Sequence, residues 1–332
     1  MSKAFLPTVS MYKESVTNSL GLTVCLGEIE PCLDYDGSPL LYCGAWAAVF
    51  KVSLSADPLS LGAGRPYALK CYLGEGGRDS NADYISNIDS DYLARTKYLD
   101  NELYVYNENG EADYFPVSVM EWIEGETLSR VIRRLVRVVN RAGDFEEHNL
   151  EKLRLLSLNF DTFALWLLDQ PFAHGDIKGD NIIVDSEMNI KLVDYDNIYV
   201  PESCYSPSMV FSVDYQHPSR TSEDVGMWLD DYPLALISLS LHVLVESPEL
   251  YSRLNRGENI LFDPAVISSG GRAKKLKAYQ IKQLDAVDML RQRFSGQALG
   301  ALLDAVCLNQ DARIEQLRGI LYSLKTTERT TV

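Results

Sequence analysis

Between residues 40 and 123 the chain reads as short apolar runs rich in β-branched and aromatic residues: LLYCGAWAAVFKVSL, PYALKCYL, LYVYNE and FPVSVMEWI. Gly, Asp and Asn turns separate them, and this texture predicts strands. One segment breaks the pattern. Ile85, Ile88 and Tyr92 recur at helical spacing, which predicts a helix over 83–98, behind Gly74, Gly76 and Gly77 and capped by Ser80 or Asn81. Beyond residue 126 the period changes. Over 128–139 Leu128, Val131, Ile132 and Leu135 share one helical face, and 150–168 is apolar at similar periods. A strand-rich first part followed by a helical second part predicts an α+β fold with two lobes and a cleft between them. The expected boundaries are an N-terminal extension over 1–35 adding a helix and a strand to the first lobe, a strand-rich lobe over 36–123 and a helical lobe over 124–332.

Length agrees with two lobes: 332 residues at roughly 150 per domain. Charge narrows the partners. Lys plus Arg is 31 and Asp plus Glu is 47, a net charge of −16, so binding of nucleic acid or an anionic membrane by the whole surface is not expected. Six cysteines lie far apart without a C-x-x-C or a paired His, which predicts reduced buried thiols rather than disulfides or zinc. The start, MSKAFLPTVSMYKESVT, has no basic segment followed by an apolar run, so a cytoplasmic location is expected. The longest apolar stretch, 232–245, holds Ser238, Ser240 and His242 and is shorter than the roughly 20 residues of a membrane span. It reads as a buried helix with His242 as a satisfied core residue.

The chemistry concentrates in FAHGDIKGDNIIV (172–184), a turn over 185–189, and IKLVDYD (190–196). A polar loop leading into two short β runs can hold Asp176, Lys178, Asn181 and Asp194 around one small volume. Two carboxylates and an amide suit a divalent cation with oxygen ligands, and a nearby lysine suits a phosphate.

These residues carry a resemblance to the protein kinase family, covering about residues 40 to 320. His174-Gly-Asp-Ile-Lys-Gly-Asp-Asn181 resembles the H-R-D-L-x-x-x-N catalytic loop, and Asp194-Tyr-Asp resembles D-F-G, a variant that also occurs in some bacterial kinase-like proteins. The resemblance implies a bilobal protein-kinase-like fold using ATP and Mg²⁺. Asp176 accepts the substrate hydroxyl proton, Lys178 neutralises the transferring phosphoryl group, and Asn181 and Asp194 hold the metal. Tyr67-Ala-Leu-Lys70 resembles the V-A-I-K strand, with Lys70 on the α and β phosphates. Gly44-Ala-Trp-Ala-Ala-Val49 resembles the glycine-rich phosphate loop with only Gly44 retained. Val49 and Ala68 then cover the adenine from above and Ile183 from below. In Val119-Met-Glu-Trp-Ile the resemblance makes Met120 the gatekeeper, with the Glu121 carbonyl and Ile123 amide on the adenine edge. Asp230 resembles the aspartate that braces the catalytic loop, and Arg313 the structural arginine near the end of the fold.

Several positions depart from the family pattern. Gly175 stands in place of the catalytic-loop arginine, which argues against regulation by a phosphate on the activation segment. Ser219 stands in place of the A-P-E glutamate, leaving Glu223 as the substitute partner for Arg313. No Glu lies between Glu75 and Glu102, so Lys70 pairs with Asp83, Asp89 or Asp91, or with no helix carboxylate. Asp196 replaces the D-F-G glycine, either as a turn residue capping its own backbone or as a second metal carboxylate. Tyr195 carries a hydroxyl that needs a partner.

Two basic strips interrupt the acidic surface: Arg130, Arg133, Arg134, Arg137 and Arg141 on one helical face, and Arg272, Lys274, Lys275 and Lys277. They read as solvated faces, or as docking sites for an acidic protein. The expected function is transfer of the γ-phosphoryl group of ATP to Ser or Thr of a protein substrate. The alternatives are a pseudokinase scaffold that binds nucleotide or a regulatory protein, and, last, a small-molecule kinase of the aminoglycoside or choline type.

Overall fold

The computed structural model of the chain describes residues 5–62, 64–74, 82–137, 145–201, 212–255, 257, 259–268 and 276–329. It mixes a curled antiparallel sheet with helices, and the chain divides into two compact units, Met1–Glu124 and Gly125–Val332.

The first unit holds the sheet: β1 (Ile29–Pro31), β2 (Leu41–Cys43), β3 (Ala47–Leu54), β4 (Tyr67–Tyr72), β5 (Thr96–Tyr106) and β6 (Ala112–Glu121). Their order is β1-β3-β4-β6-β5, with β2 also paired to β3. Period-two alternation decides which side is buried. Ala48, Phe50, Val52, Leu69, Cys71, Val117 and Val119 form a core with Tyr12 and Val16 of helix α1 (Val9–Thr17). The Tyr12 hydroxyl fixes that helix by donating to the Tyr72 carbonyl at 2.8 Å.

The helix expected over 83–98 is a correction. Only α2 (Ala82–Ser86) is helical, and by Thr96 the chain is already in β5, opposite Met120. Asn87, Asp89, Ser90 and Asp91 offer the backbone side-chain bonds that compete with a helix, as in Tyr92 N–H donating to Ser90 Oγ at 3.2 Å. Ile85 is buried from α2 and Leu93 from the non-helical segment that follows it, not from one helix face. Gly76, Gly77, Ser80 and Asn81 lie outside the described residues, as do Arg141, Arg272, Lys274, Lys275 and the side chain of Asp83.

Within β5 the register breaks between Leu99 and Leu103, where Asn101 takes a φ of 52°. The irregularity brings Glu102 inward. Its Oε1 accepts the backbone N–H groups of Val24 (3.1 Å), Cys25 (2.9 Å) and Leu26 (2.8 Å), which fastens the loop before β1. Local desolvation of the thiol, and then its hydrogen bond to this carboxylate, push Cys25 up to about 11. Among the described residues no disulfide forms; Cys71 and Cys307 are buried as expected, whereas Cys25 and Cys43 are exposed.

The second unit is mainly helical. A small sheet, β7 (Glu126–Thr127), β8 (Ile182–Val184) and β9 (Ile190–Leu192), joins helices α3 (Leu128–Leu135), α4 (Glu147–Leu168), α5 (Asp231–Glu246), α6 (Leu250–Leu254), α7 (Pro264–Ile267), α8 (Ala278–Arg293), α9 (Ala298–Cys307) and α10 (Leu317–Arg329). Helix α5 packs on α4 and α9 and forms the centre, with every residue from Asp231 to Leu244 buried. Together with the turn before it, this helix is long and apolar enough by composition to cross a membrane, yet 83% of that window is buried inside the fold. A globular core helix passes the same test.

Two polar features sit in this core. Asp161 of α4, fully buried, accepts from Ser238 Oγ at 2.6 Å and from His242 Nε2 at 2.8 Å, so α4 and α5 are pinned by hydrogen bonds as well as by packing. At the start of α5, burial raises the Asp231 carboxyl from 3.8 to about 7, against the Ile314 amide that it accepts at 3.0 Å and with Asp230 adding to the rise. The folded state therefore favours the protonated acid. Its stabilisation is full below the unfolded value of 3.8 and is lost as pH rises to about 7, an effect on the order of 4 kcal/mol at most. Asp231→Asn keeps an acceptor for Ile314 and removes the titration. Thermal unfolding between pH 4.5 and 7.5 is expected to show the variant gaining on the wild type as pH rises; parallel curves contradict the assignment.

Candidate functional site

The loop over 173–181 links α4 to β8, and its backbone is fixed before its side chains are considered. Ala173 and Tyr199 exchange both backbone hydrogen bonds, at 2.9 and 2.8 Å. Asp230, just before α5, accepts His174 N–H on Oδ2 (2.6 Å) and Gly175 N–H on Oδ1 (2.9 Å), so one buried carboxylate holds two consecutive loop amides. Burial raises the Asp230 carboxyl, while the two amides and the charge of Arg220 pull it down. The brace expected of Asp230 is this pair of bonds.

His174 is fully buried and ties the loop to the end of β9: its Nε2 meets the Val193 carbonyl at 3.1 Å, and its Nδ1 meets the Asp176 amide at 3.4 Å. With an amide donor at Nδ1, the proton belongs on Nε2, which then donates to Val193. The histidine supports the loop.

Asp176, Lys178 and Asn181 converge. Asp176 Oδ2 accepts from Lys178 Nζ at 2.8 Å and from Asn181 Nδ2 at 3.2 Å, while Oδ1 accepts the Ser212 amide at 3.1 Å. Asn181 Nδ2 also donates to the Asp176 carbonyl at 2.9 Å. With its nitrogen so used, Asn181 has its amide oxygen left for a ligand, and a hard cation takes oxygen.

Asp194 is brought beside Asn181 through the backbone. The Val193 peptide is gripped at both ends, its N–H by the Asn181 carbonyl at 3.0 Å and its carbonyl by His174. The next residue, Asp194, has a φ of 68°, a left-handed conformation uncommon outside glycine that clusters at functional sites. Tyr195 is buried beneath, with its ring edge-on to His174 at 6.0 Å and its hydroxyl donating to the Leu192 carbonyl at 2.6 Å, which supplies the partner that it needs. Among the described residues no three His, Cys, Asp or Glu side chains group closely enough to hold a metal ion by themselves. An amide oxygen from Asn181 and a carboxylate from Asp194 are oxygen donors of the kind that a hard divalent cation takes.

In comparison with known proteins, no family model matches the chain and no curated protein matches it.

The first unit holds the remaining candidates other than Ile183. Register places Val49 opposite Lys70 and Lys70 opposite Ser118, and Ala68 opposite Met120. Directly paired residues share a face, so Val49, Ala68, Lys70 and Met120 lie together on the half-buried side of the sheet, away from its core. The Lys70 ammonium lies 5.6 Å from the centre of the Tyr72 ring. Sheet hydrogen bonding continues through Glu121, whose amide donates to Arg95, and ends with Trp122 N–H on the Pro66 carbonyl, just ahead of Ile123. Gly44 closes the turn between β2 and β3, donating its amide to Ala47 at 2.9 Å. Ile183 is half-buried on β8 in the second unit, opposite Lys191.

Glu223 does not replace the missing partner of Arg313. Arg313 lies 3.7 Å from Glu315 in an exposed pair, and its charge also acts on Asp231. Three contributors were not singled out from sequence. The Ser212 amide and the buried Arg220, whose guanidinium burial pulls below its usual value while Asp230, Asp176 and Asp224 act to raise it, come from a segment more than thirty residues beyond the loop. The Tyr215 hydroxyl bonds both Ser129 of α3 and the Gly179 backbone, tying α3 to the loop.

Proposed function

We propose that the protein is an ATP- and Mg²⁺-dependent kinase of the bilobal protein-kinase type that phosphorylates Ser or Thr of a protein substrate. The observation that carries this reading is the single hydrogen-bonded cluster of Asp176, Lys178 and Asn181, with the backbone of Asp194 fastened to Asn181 through Val193. A carboxylate, a lysine and two oxygen ligands are the groups that phosphoryl transfer needs, since catalysis there is mostly positioning and charge stabilisation. Asp176 takes the hydroxyl proton and orients the nucleophile. Lys178, already on the same carboxylate, stabilises charge on the transferred group. Asn181 and Asp194 hold Mg²⁺, which neutralises phosphate charge when bound. Lys70 takes the α and β phosphates, and Val49, Ala68, Met120 and Ile183 are assigned to the adenine.

One observation favours a second reading, a scaffold that binds nucleotide without transferring phosphate. The Gly44 amide, which the family pattern assigns to the phosphate loop, is already bonded within its own hairpin. Binding is tested by thermal shift. With Mg²⁺ and ATP at about a hundred times the dissociation constant, ligation adds about 2.7 kcal/mol, a rise of several degrees that is expected to vanish for Lys70→Met and, in its Mg²⁺-dependent part, for Asp194→Asn. Asparagine tolerates the left-handed backbone, so the Asp194→Asn fold itself is expected to survive. A wild type indifferent to Mg²⁺ and ATP removes both readings.

A further inference from the structure

The kinase reading leaves open which proteins are bound, and α3 supplies a criterion. Arg130, Arg133 and Arg134 of α3 and Arg137 just beyond its end are all exposed, while Leu128, Val131, Ile132 and Leu135 of the helix are buried. At 100° per residue Arg130, Arg133 and Arg134 fall within an arc of about 100°, and Arg137 follows two residues past the end of the helix. Their internal partners are few. Arg134 meets Glu126 at 3.3 Å in an exposed pair, and Arg133 bonds the Tyr251 hydroxyl and feels Asp180. Arg130 and Arg137 have no ion-pair partner among the described residues.

The strip adjoins the candidate catalytic loop. Ser129 is bonded with Gly179 through the Tyr215 hydroxyl, Ser129 N–H points at the Gly179 carbonyl at 3.5 Å, and Asp180 lies close enough to act on Arg133. The helix that carries these cations is therefore bonded to the loop of Asp176, on a chain whose net charge is −16. A strip of this kind selects and registers an anionic partner that the rest of the surface repels. A membrane is the poorer match, because the apolar side of α3 is fully used inside the unit and has nothing to insert into a bilayer.

We infer that the arginine face of α3 docks an acidic, Asp- and Glu-rich segment of the protein substrate; this rests on the phosphotransferase reading only for the word substrate, since the docking itself is a binding event. The probe is a fluorescein-labelled twelve-residue Glu/Asp peptide carrying one serine, titrated by anisotropy against the full chain. The wild type is expected to bind at low salt and to weaken several-fold at 200 mM salt. Arg130→Glu/Arg133→Glu/Arg137→Glu is expected to weaken binding by roughly tenfold or more. The milder Arg130→Gln/Arg137→Gln, which touches no internal pair, is expected to follow in the same direction, with the shift by Mg²⁺ and ATP unchanged in both. Peptide affinity unaltered by charge reversal, absence of peptide binding at low salt, or arginine-dependent binding to phosphatidylserine vesicles but not to the peptide each overturns the proposal. Arginine-dependent peptide binding without any phosphate transfer upholds the docking and removes the kinase reading instead, so the two fail separately.

Discussion

Gly175→Ala is expected to lower the stability of the second unit by about 3 kcal/mol or more. Two independent costs meet at this position. The backbone has a φ of 80°, in the left-handed region, and a Cβ built there sits 2.3 Å from the Asn197 carbonyl oxygen. Backbone cannot rotate aside as a flexible side chain can. The same crowding leaves an arginine no room here, and Gly175→Arg is expected to be worse than alanine. The amide of Gly175 is one of the two held by Asp230, so a shift to relieve the clash moves the loop that carries Asp176. Thermal unfolding and nucleotide binding are read together. A variant with wild-type melting temperature contradicts the backbone geometry.

Asp161→Ala is the second large effect. The carboxylate is fully buried and satisfies Ser238 and His242 from a helix about eighty residues further along. Removing it strands two buried polar groups. Breaking a buried pair by deleting one partner costs about 3–5 kcal/mol. In a unit of this size that is a fall in melting temperature of roughly 10 °C. Replacing the whole cluster, Asp161→Leu/Ser238→Ala/His242→Leu, leaves no orphan and is expected to recover most of the loss. Similar stabilities for the single and triple variants would falsify the pinning role.

What could be read from the sequence follows the range of the forces. Alternation marked β3, β4 and β6 because one face of each strand is buried, and helical period marked α3 and α4 for the same reason. It misled over 83–98. There the apolar spacing of Ile85, Ile88 and Tyr92 was real, but the intervening Asn, Asp and Ser side chains favoured turns. The polar residues of the loop could be read because Asp176, Lys178 and Asn181 lie within six positions, and the cluster closes locally. Other groups are held by long-range contacts that no local pattern carries. Glu102 reaches back to Val24, Cys25 and Leu26, Asp161 meets His242, and Asp230 grips His174. Gly175 shows the remaining limit. Its identity was visible, whereas the positive φ and the nearby Asn197 carbonyl that require it were not.

The most direct test is phosphate transfer from labelled ATP with Mg²⁺ to the chain itself and to a serine-containing acidic peptide. The wild type is expected to label a Ser or Thr hydroxyl. Asp176→Asn is expected to fall by a hundredfold or more while still binding nucleotide, because a positioned base contributes about 10²–10⁴ in rate. Nucleotide binding without labelling by the wild type, or labelling that persists in Asp176→Asn, contradicts the assignment.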